Sequence, residues 1–375
     1  MKKPSKIEKY DFYFVLLSRF PTEKAYGVTT ENTARALSNM GLKTLIITPV
    51  IFHKGISKIG VISRIEFIAR FLLSTRVKSF VSLRFNIFIL LYAFSIRLKS
   101  LRSFNVFWCR DIYLALLLSS FSSDLCVCEV HRTPVKFQMF CLRILSKRKN
   151  VILAPIADFL PRTLNLHQSR TVLAPMAINQ DDLDFFSKFS KPKENTIIYV
   201  GHAYSLNYSL NINLLNEAAK NILKLYPNWK FKIIGIEENF FRLNITSPKS
   251  PNLELTGIIP REEVLIKLAT ASIGLTIYPN NKWFKDSFPI KIVEYSAAGL
   301  AIIASKSISH TRVLDDARCL YFEIDSVKSL VDKLDLLIKD KKLRNRLAKN
   351  SQSWSQNYTY ENRASSIIGK LKTLI

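Results

Sequence analysis

Two carboxylates and a lysine stand close together late in the chain, in Asp286-Ser-Phe-Pro-Ile-Lys-Ile-Val-Glu-Tyr-Ser-Ala-Ala-Gly-Leu-Ala-Ile-Ile-Ala-Ser305. Asp286 and Glu294 are separated by seven residues, about 12 Å of rise if the intervening chain is helical. Lys291 lies between them. One acid then sits at the positive end of that helix, and the other points from the helix body toward something polar. The segment reads as loop, helix, turn and strand. Asp286 and Ser287 are side-chain acceptors of the kind that cap a helix, and Pro289 suits the first turn. Ile290, Val293, Ala297 and Ala298 recur at helical spacing. Gly299 is the expected stop, and 300–304 is an apolar run that suits a strand buried on both faces.

The elements that must hold these groups follow the same alternation along the whole chain. At 375 residues and 48% hydrophobic content, the chain suits two domains, each with its own core. Residues 13–18 read as a strand, 19–27 as a loop, 28–40 as a helix ending at Gly41, and 42–49 as a second strand. Further strands are expected at 105–108, 125–130 and 151–155. The pattern restarts with a strand at 196–200, a turn at Gly201, a helix at 214–225, and strands at 230–235, 252–257 and 273–278. Strand–helix alternation of this kind predicts α/β domains with parallel, doubly wound sheets. The expected boundaries are 1–186 for the first domain, 187–195 for a charged linker, 196–355 for the second domain, and 356–375 for a final helix.

Charge sets a second constraint. Lys and Arg total 55 against 29 acids, a formal charge of +26. Residues 52–149 hold 17 Lys/Arg and four acids. Within 61–102, apolar residues are interleaved with Arg64, Arg70, Arg76, Lys78, Arg84, Arg97, Lys99 and Arg102. This favours anionic partners, and an anionic membrane surface best fits the mixture of apolar and basic residues. The longest apolar run, 87–96, falls below the ~20 residues of a membrane span. A nucleic-acid binder is the alternative for such a basic chain, but no helix-turn-helix, zinc spacing or aromatic RNA motif accompanies the charge. The five cysteines (109, 126, 128, 141 and 319) contain no C-x-x-C pair. They read as core residues in a reduced, cytoplasmic setting.

The 286–305 segment resembles the donor-binding signature of retaining GT-B glycosyltransferases of the group 1 / family 4 type, roughly s-P-x-K-x-x-E-Y-x-A-x-G-x-P-V-[IV]-[AS]. Ser287, Pro289, Lys291, Glu294, Tyr295, Ala297, Gly299 and Ser305 match, while Leu300-Ala301 replaces the usual x-Pro. Asp286 stands at the first acid of the family's E-x7-E pair. The likeness extends through most of the chain and is weakest at 52–104. It includes Gly27 in the first loop and Glu129-Val-His131, which is similar to the family's E-x-H.

That resemblance implies a GT-B fold: two Rossmann-like domains facing across a cleft, with a C-terminal helix crossing back to the first. It implies transfer of a sugar from a nucleotide-sugar to a lipid-linked or surface-polysaccharide acceptor, with retention and without a covalent protein intermediate. The enzyme would be a hexosyltransferase at the inner face of the cell membrane. Glu294 would accept hydrogen bonds from the ribose and Asp286 from sugar hydroxyls. Ser287 would lie with the backbone N–H groups near the phosphate, Gly27 would permit close approach of a backbone, and Gly235 with Gly257-Ile258 would flank the base. His131 would orient the sugar. Another GT-B-shaped enzyme, a sugar-nucleotide 2-epimerase, shares the fold and stays open at this stage.

The chain departs from the family after Gly201, where an Arg or Lys usually holds the diphosphate. Here 202–210 contains neither. Lys282, Lys285 or Lys291 is the expected substitute, with His202 contributing if protonated. Asp181-Asp-Leu-Asp184 has the D-x-D form of a metal site in the other glycosyltransferase fold, but its context predicts solvated acids at a helix start. No metal or other cofactor is expected.

Overall fold

A computed structural model describes residues 11–17, 20, 25–48, 60–63, 91–94, 96, 105–120, 124–202, 204–205, 208–209, 211–281 and 284–375. The chain divides into two units, Met1–Pro175 with Tyr360–Ile375, and Met176–Thr359.

Unit 1 is built on six parallel strands: β1 (Asp11–Val15), β2 (Thr44–Thr48), β3 (Gly60–Ser63), β4 (Asn105–Cys109), β5 (Leu125–Val130) and β6 (Val151–Pro155). Their spatial order is β3-β2-β1-β4-β5-β6. Every residue of β4, β5 and β6 is buried, which explains their near-continuous apolar sequences. Helix Ala25–Asn39 packs with helix Tyr360–Lys372, and helix Ile112–Leu118 with helix Lys136–Lys147. Asp111 starts the Ile112 helix by accepting the Leu114 N–H at 2.9 Å. The first helix begins earlier than the expected 28–40, so Gly27 is a buried residue of its opening turn rather than part of a loop.

Unit 2 repeats the plan with β7 (Thr196–Val200), β10 (Lys230–Ile234), β11 (Leu253–Leu255), β12 (Ile273–Thr276), β13 (Ala301–Ser305) and β14 (Cys319–Phe322), ordered β11-β10-β7-β12-β13-β14. A small antiparallel pair, β8 (Tyr204–Ser205) with β9 (Tyr208–Ser209), sits in the 202–210 segment. The core joins sheet residues such as Phe231, Ile233, Leu275 and Ile303 to helix residues Leu215, Ile222, Leu334 and Leu337. Both sheets follow the doubly wound order, which reverses between β1 and β4 and again between β7 and β12. Ligands of such sheets bind beyond the strands' C-terminal ends at that reversal.

The division of the chain falls ahead of the expected 187–195 linker. Ser187 and Lys188 instead complete helix Gln180–Lys188, which packs with helix Arg261–Thr270 of unit 2. The final helix belongs to unit 1, where Arg363 is buried and donates to Thr33 Oγ1 at 2.6 Å and to the Ala174 carbonyl at 3.3 Å. The basic 61–102 stretch lies largely outside the described residues.

Candidate functional site

The backbone gathers at the C-terminal ends of β7, β10 and β11. Gly235 follows β10 at φ +91°, a left-handed conformation that disfavours side chains. Its N–H donates to the Gly257 carbonyl at 2.7 Å. An added Cβ at Gly235 would come within 2.8 Å of the Gly201 carbonyl, so neighbouring strand ends meet backbone to backbone. Beyond Gly257, the Ile258 N–H donates to Glu237 Oε1 at 3.3 Å, and the Ile258 side chain is exposed.

Gly201 meets side chains instead. A Cβ there would land on Lys291 Nζ and lie 2.9 Å from the Tyr199 hydroxyl. Lys291 Nζ sits 4.8 Å from the Tyr199 ring centroid, a cation–π geometry. Lys291 therefore brings its ammonium to the strand end whose own loop has no cation. Burial lowers its pKa to about 8, against the opposing pull of Glu294. Of the other expected substitutes, Lys285 and His202 are exposed, and Lys282 lies outside the described residues.

Lys291 and Glu294 ride on helix Ile290–Ala297. Tyr295 fixes this helix to the sheet at the order reversal. Its hydroxyl accepts from the Val200 N–H at 2.9 Å and donates to the Leu275 carbonyl at 3.4 Å, joining β7 to β12. At the helix C-terminus, Lys193 Nζ donates to the Ala298 carbonyl at 2.6 Å and Gln352 Nε2 to Ala297 at 3.3 Å. Gly299 ends the helix at φ +66°, as its position predicts.

The start of the helix differs from expectation. The cap position is Pro289, and no side chain caps it. Ser287 Oγ instead donates to the Phe284 carbonyl at 2.6 Å, closing the preceding turn. Asp286 is buried, with Oδ1 3.7 Å from Arg312 Nη1, and that guanidinium also donates to the Lys285 carbonyl at 3.1 Å. The acid faces a cation rather than the helix end because residues 284–286 turn before the helix begins.

Glu294 points to an arginine that the sequence reading does not single out. Arg261 Nη1 lies 2.7 Å from Glu294 Oε1, and its Nη2 lies 2.8 Å from Asp182 Oδ2. Burial works against the charge of Arg261, but Glu294 and Asp182 together hold its pKa above the ordinary value. Asp182 is thus a buried-side ion-pair partner and not a solvated capping acid. Asp184 accepts from Gln180 Nε2 at 2.8 Å. One signal was available: Arg261 is the first residue of its helix, where the dipole disfavours a cation unless acids lie nearby.

In unit 1, His131 follows β5. Its Nε2 donates to Glu129 Oε2 at 2.6 Å and its Nδ1 accepts from Arg110 Nη2 at 2.9 Å. Burial, reinforced by Arg110, lowers its pKa to about 4, leaving a neutral ring with both nitrogens engaged. Glu129 Oε1 takes Trp108 Nε1 and Arg363 Nη2, each at 2.6 Å. Burial raises the Glu129 pKa, but Arg363, His131 and Arg110 together push it well below the usual carboxylate range. All five cysteines are free and buried, in keeping with core roles.

This site at the sheet reversal of unit 2 lies within the part of the chain that has recognisable relatives. Residues 180–354 match the family described as Glycosyl transferases group 1. The group 1 segment runs from helix Gln180–Lys188 through helix Lys341–Ser355 and so contains Asp182, Arg261, Lys291 and Glu294. Over 220 residues the chain is 24% identical to a phosphatidylinositol N-acetylglucosaminyltransferase subunit of Arabidopsis thaliana, covering 56% of this chain. The chain spans about half of that relative's length, 45%. A glycosyltransferase from Rickettsia africae ESF-5 superposes with a TM-score of 0.69 at 14% identity, covering 98% of both chains. Anabaena HepE in complex with UDP-glucose gives 0.63 at 11% identity, covering 97% of this chain and 99% of the other. At these identities the likeness establishes the fold, which is that of the GT-B glycosyltransferases. The group 1 match covers just under half of the chain and lies wholly within unit 2.

Proposed function

We propose that the chain is a retaining GT-B enzyme of the group 1 / family 4 type that transfers a hexose from a nucleotide-sugar to an acceptor. The observation that carries this reading is the convergence of Lys291, Gly201 and Glu294 at the sheet reversal of unit 2. Lys291 offers a positive charge to the donor diphosphate, and Gly201 leaves room for that ammonium at the strand end. Glu294 offers a carboxylate to the ribose hydroxyls, and Asp286 does the same for the sugar. The Anabaena structure holds UDP-glucose on the same fold, which supports a nucleotide-sugar as the donor.

Retention needs no strong protein base in this scheme. The leaving phosphate takes the acceptor proton, and the protein contributes placement and charge stabilisation. His131, neutral and fixed through both ring nitrogens, has its backbone carbonyl to offer to developing positive charge on the sugar. No metal is required, since Lys291 supplies the charge that a cation would otherwise bring.

The acceptor is lipid-linked or a surface polysaccharide, reached from the cytoplasmic face of an anionic membrane. The Arabidopsis relative, named for phosphatidylinositol, supports a lipid acceptor. Among the described residues no helix is long and apolar enough to cross a membrane, so contact would be peripheral.

Calorimetry against UDP-, GDP- and ADP-sugars tests the donor reading. One sugar nucleotide should bind in the micromolar range, and Lys291→Met should weaken it at least tenfold. Binding of none, or equal binding by the variant, would remove the assignment. Proton NMR of the product then reports the anomeric configuration.

A further inference from the structure

Helix Lys136–Lys147 of unit 1 has one face in the core and one in solvent. Cys141, Leu142 and Leu145 are buried. On the other side, Val135, Phe137 and Phe140 are 67%, 65% and 58% exposed. Phe137 and Phe140 stack at 6.3 Å, and Tyr113 of the neighbouring helix tilts against Phe137 at 5.9 Å. Single exposed apolar residues need no explanation, but a contiguous aromatic patch marks a contact surface.

Cations predominate around this patch, although Asp111 acts electrostatically on Tyr113 and Cys141. From 130 to 157 the chain carries six Lys/Arg and no acid. Arg143 and Lys147 are exposed and follow Phe140 at i+3 and i+7, so they extend the aromatic stripe along the same face. Among the described residues no ion pair joins Arg143, Lys147 or Lys149 to an acid. The helix has 12 residues, too few to span a bilayer. Large apolar rings flanked by unpaired cations on a short helix match a surface that is apolar a few ångströms deep and anionic at its edge.

We propose that this face, centred on Phe137 and Phe140 and flanked by Arg143, Lys147 and Lys149, docks unit 1 on the surface of an anionic lipid bilayer. The rings enter the boundary between headgroups and acyl chains while the cations stay among the lipid phosphates. This deepens the membrane contact proposed above, and it places the anchor on a defined helix rather than on the 61–102 stretch.

The test is sedimentation of the full chain with phosphatidylglycerol vesicles and with neutral phosphatidylcholine vesicles, without donor. The chain should sediment with the anionic vesicles and hardly with the neutral ones, and binding should weaken as salt rises. Phe137→Ser/Phe140→Ser should lower the partition coefficient at least tenfold. Arg143→Ser/Lys147→Ser/Lys149→Ser should lower it similarly and flatten the salt dependence. Both variants should keep the wild-type circular dichroism and donor affinity, because the changed side chains are exposed and lie outside unit 2. A variant with Arg64, Arg70, Arg76 and Arg84 changed to Ser should retain most of the binding.

Wild-type sedimentation by the Phe variant would overturn the proposal. So would equal recovery on neutral vesicles, or loss confined to the 64–84 variant. A concentration-dependent dimer that the Phe variant abolishes, with no vesicle binding by the wild type, would assign the face to a second copy instead. Failure of the glycosyltransferase reading would show separately, as absence of donor binding in calorimetry.

Discussion

Arg261 holds Glu294 through a 2.7 Å contact between Nη1 and Oε1, although the two residues come from different helices of unit 2. The carboxylate proposed to receive the donor ribose is therefore already oriented by a guanidinium, which is anchored in turn by Asp182 at 2.8 Å. Glu294→Gln should weaken nucleotide-sugar binding by about 1–3 kcal/mol, the range for a lost charge-assisted hydrogen bond. Arg261→Gln should also weaken it. Because the two act through one contact, the double variant should fall short of the sum of the single losses. Calorimetry on the three variants measures this directly, and strict additivity would mean that Arg261 does not act through Glu294.

Lys291 gives donor binding a pH signature. Its pKa in the free protein is lowered to about 8, and a bound diphosphate would raise it by favouring the ammonium. Binding then takes up a proton once the pH exceeds about 8, so affinity should fall above that point. Lys291→Arg keeps its charge in this range and should remove the decline. Titrations from pH 6.5 to 9.5, repeated in buffers of different ionisation enthalpy, would reveal the proton uptake.

The buried acid of unit 1 is a stability element. Arg363 and Glu129 side chains are 1% and 4% exposed and meet at 2.6 Å. Arg363→Met should destabilise unit 1 by about 3–5 kcal/mol, the usual cost of leaving one partner of a buried pair uncompensated. Denaturant melts of the variant should show an early transition, with the transition of unit 2 unmoved.

Acid should weaken the fold in two stages. The pKa values of His131 and His310 are lowered from 6.5 to about 4. Between those values the unfolded chain binds protons that the folded chain refuses, so stability is lost as the pH falls from 6.5 towards 4. Glu129 has a depressed pKa, so its contribution is full above the ordinary carboxylate value and is lost progressively as the pH falls through that value and below it. His131→Asn should flatten the first stage in a thermal melt series.

Transfer should survive EDTA. Asp182 and Asp184, which form the D-x-D sequence, are engaged by Arg261 and Gln180, and Lys291 provides the positive charge. Loss of turnover with EDTA that manganese restores would overturn this expectation.

Much of the fold was legible because buried parallel strands leave continuous apolar runs, as in 151–155 and 301–304, and because Gly299 ends its helix where a left-handed residue must. The spacing of Lys291 and Glu294 placed both on one helix in the same local way. Contacts made across long separations were not legible. Arg261 acquires its role from Asp182 and Glu294, each far away in sequence, and Glu129 draws partners from β4, from the segment after β5 and from the final helix. Asp286 misled for a local reason: an acid before a proline-led helix looks like a cap, and only the turn at 284–286 shows that it faces Arg312 instead.

The placement of Arg363 also fixes an order of events during synthesis. Unit 2 is one continuous stretch, Met176–Thr359, inserted between the two parts of unit 1. A ribosome therefore finishes all of unit 2 before it adds the residue that neutralises Glu129. Until then the nascent first unit holds an acid whose main partner does not yet exist, while the second unit can fold as soon as it has emerged. A chain terminated before Tyr360 should accordingly yield to protease in unit 1 and resist it in unit 2. The helix from Tyr360 thus acts as a latch on unit 1, set only after unit 2 has been translated.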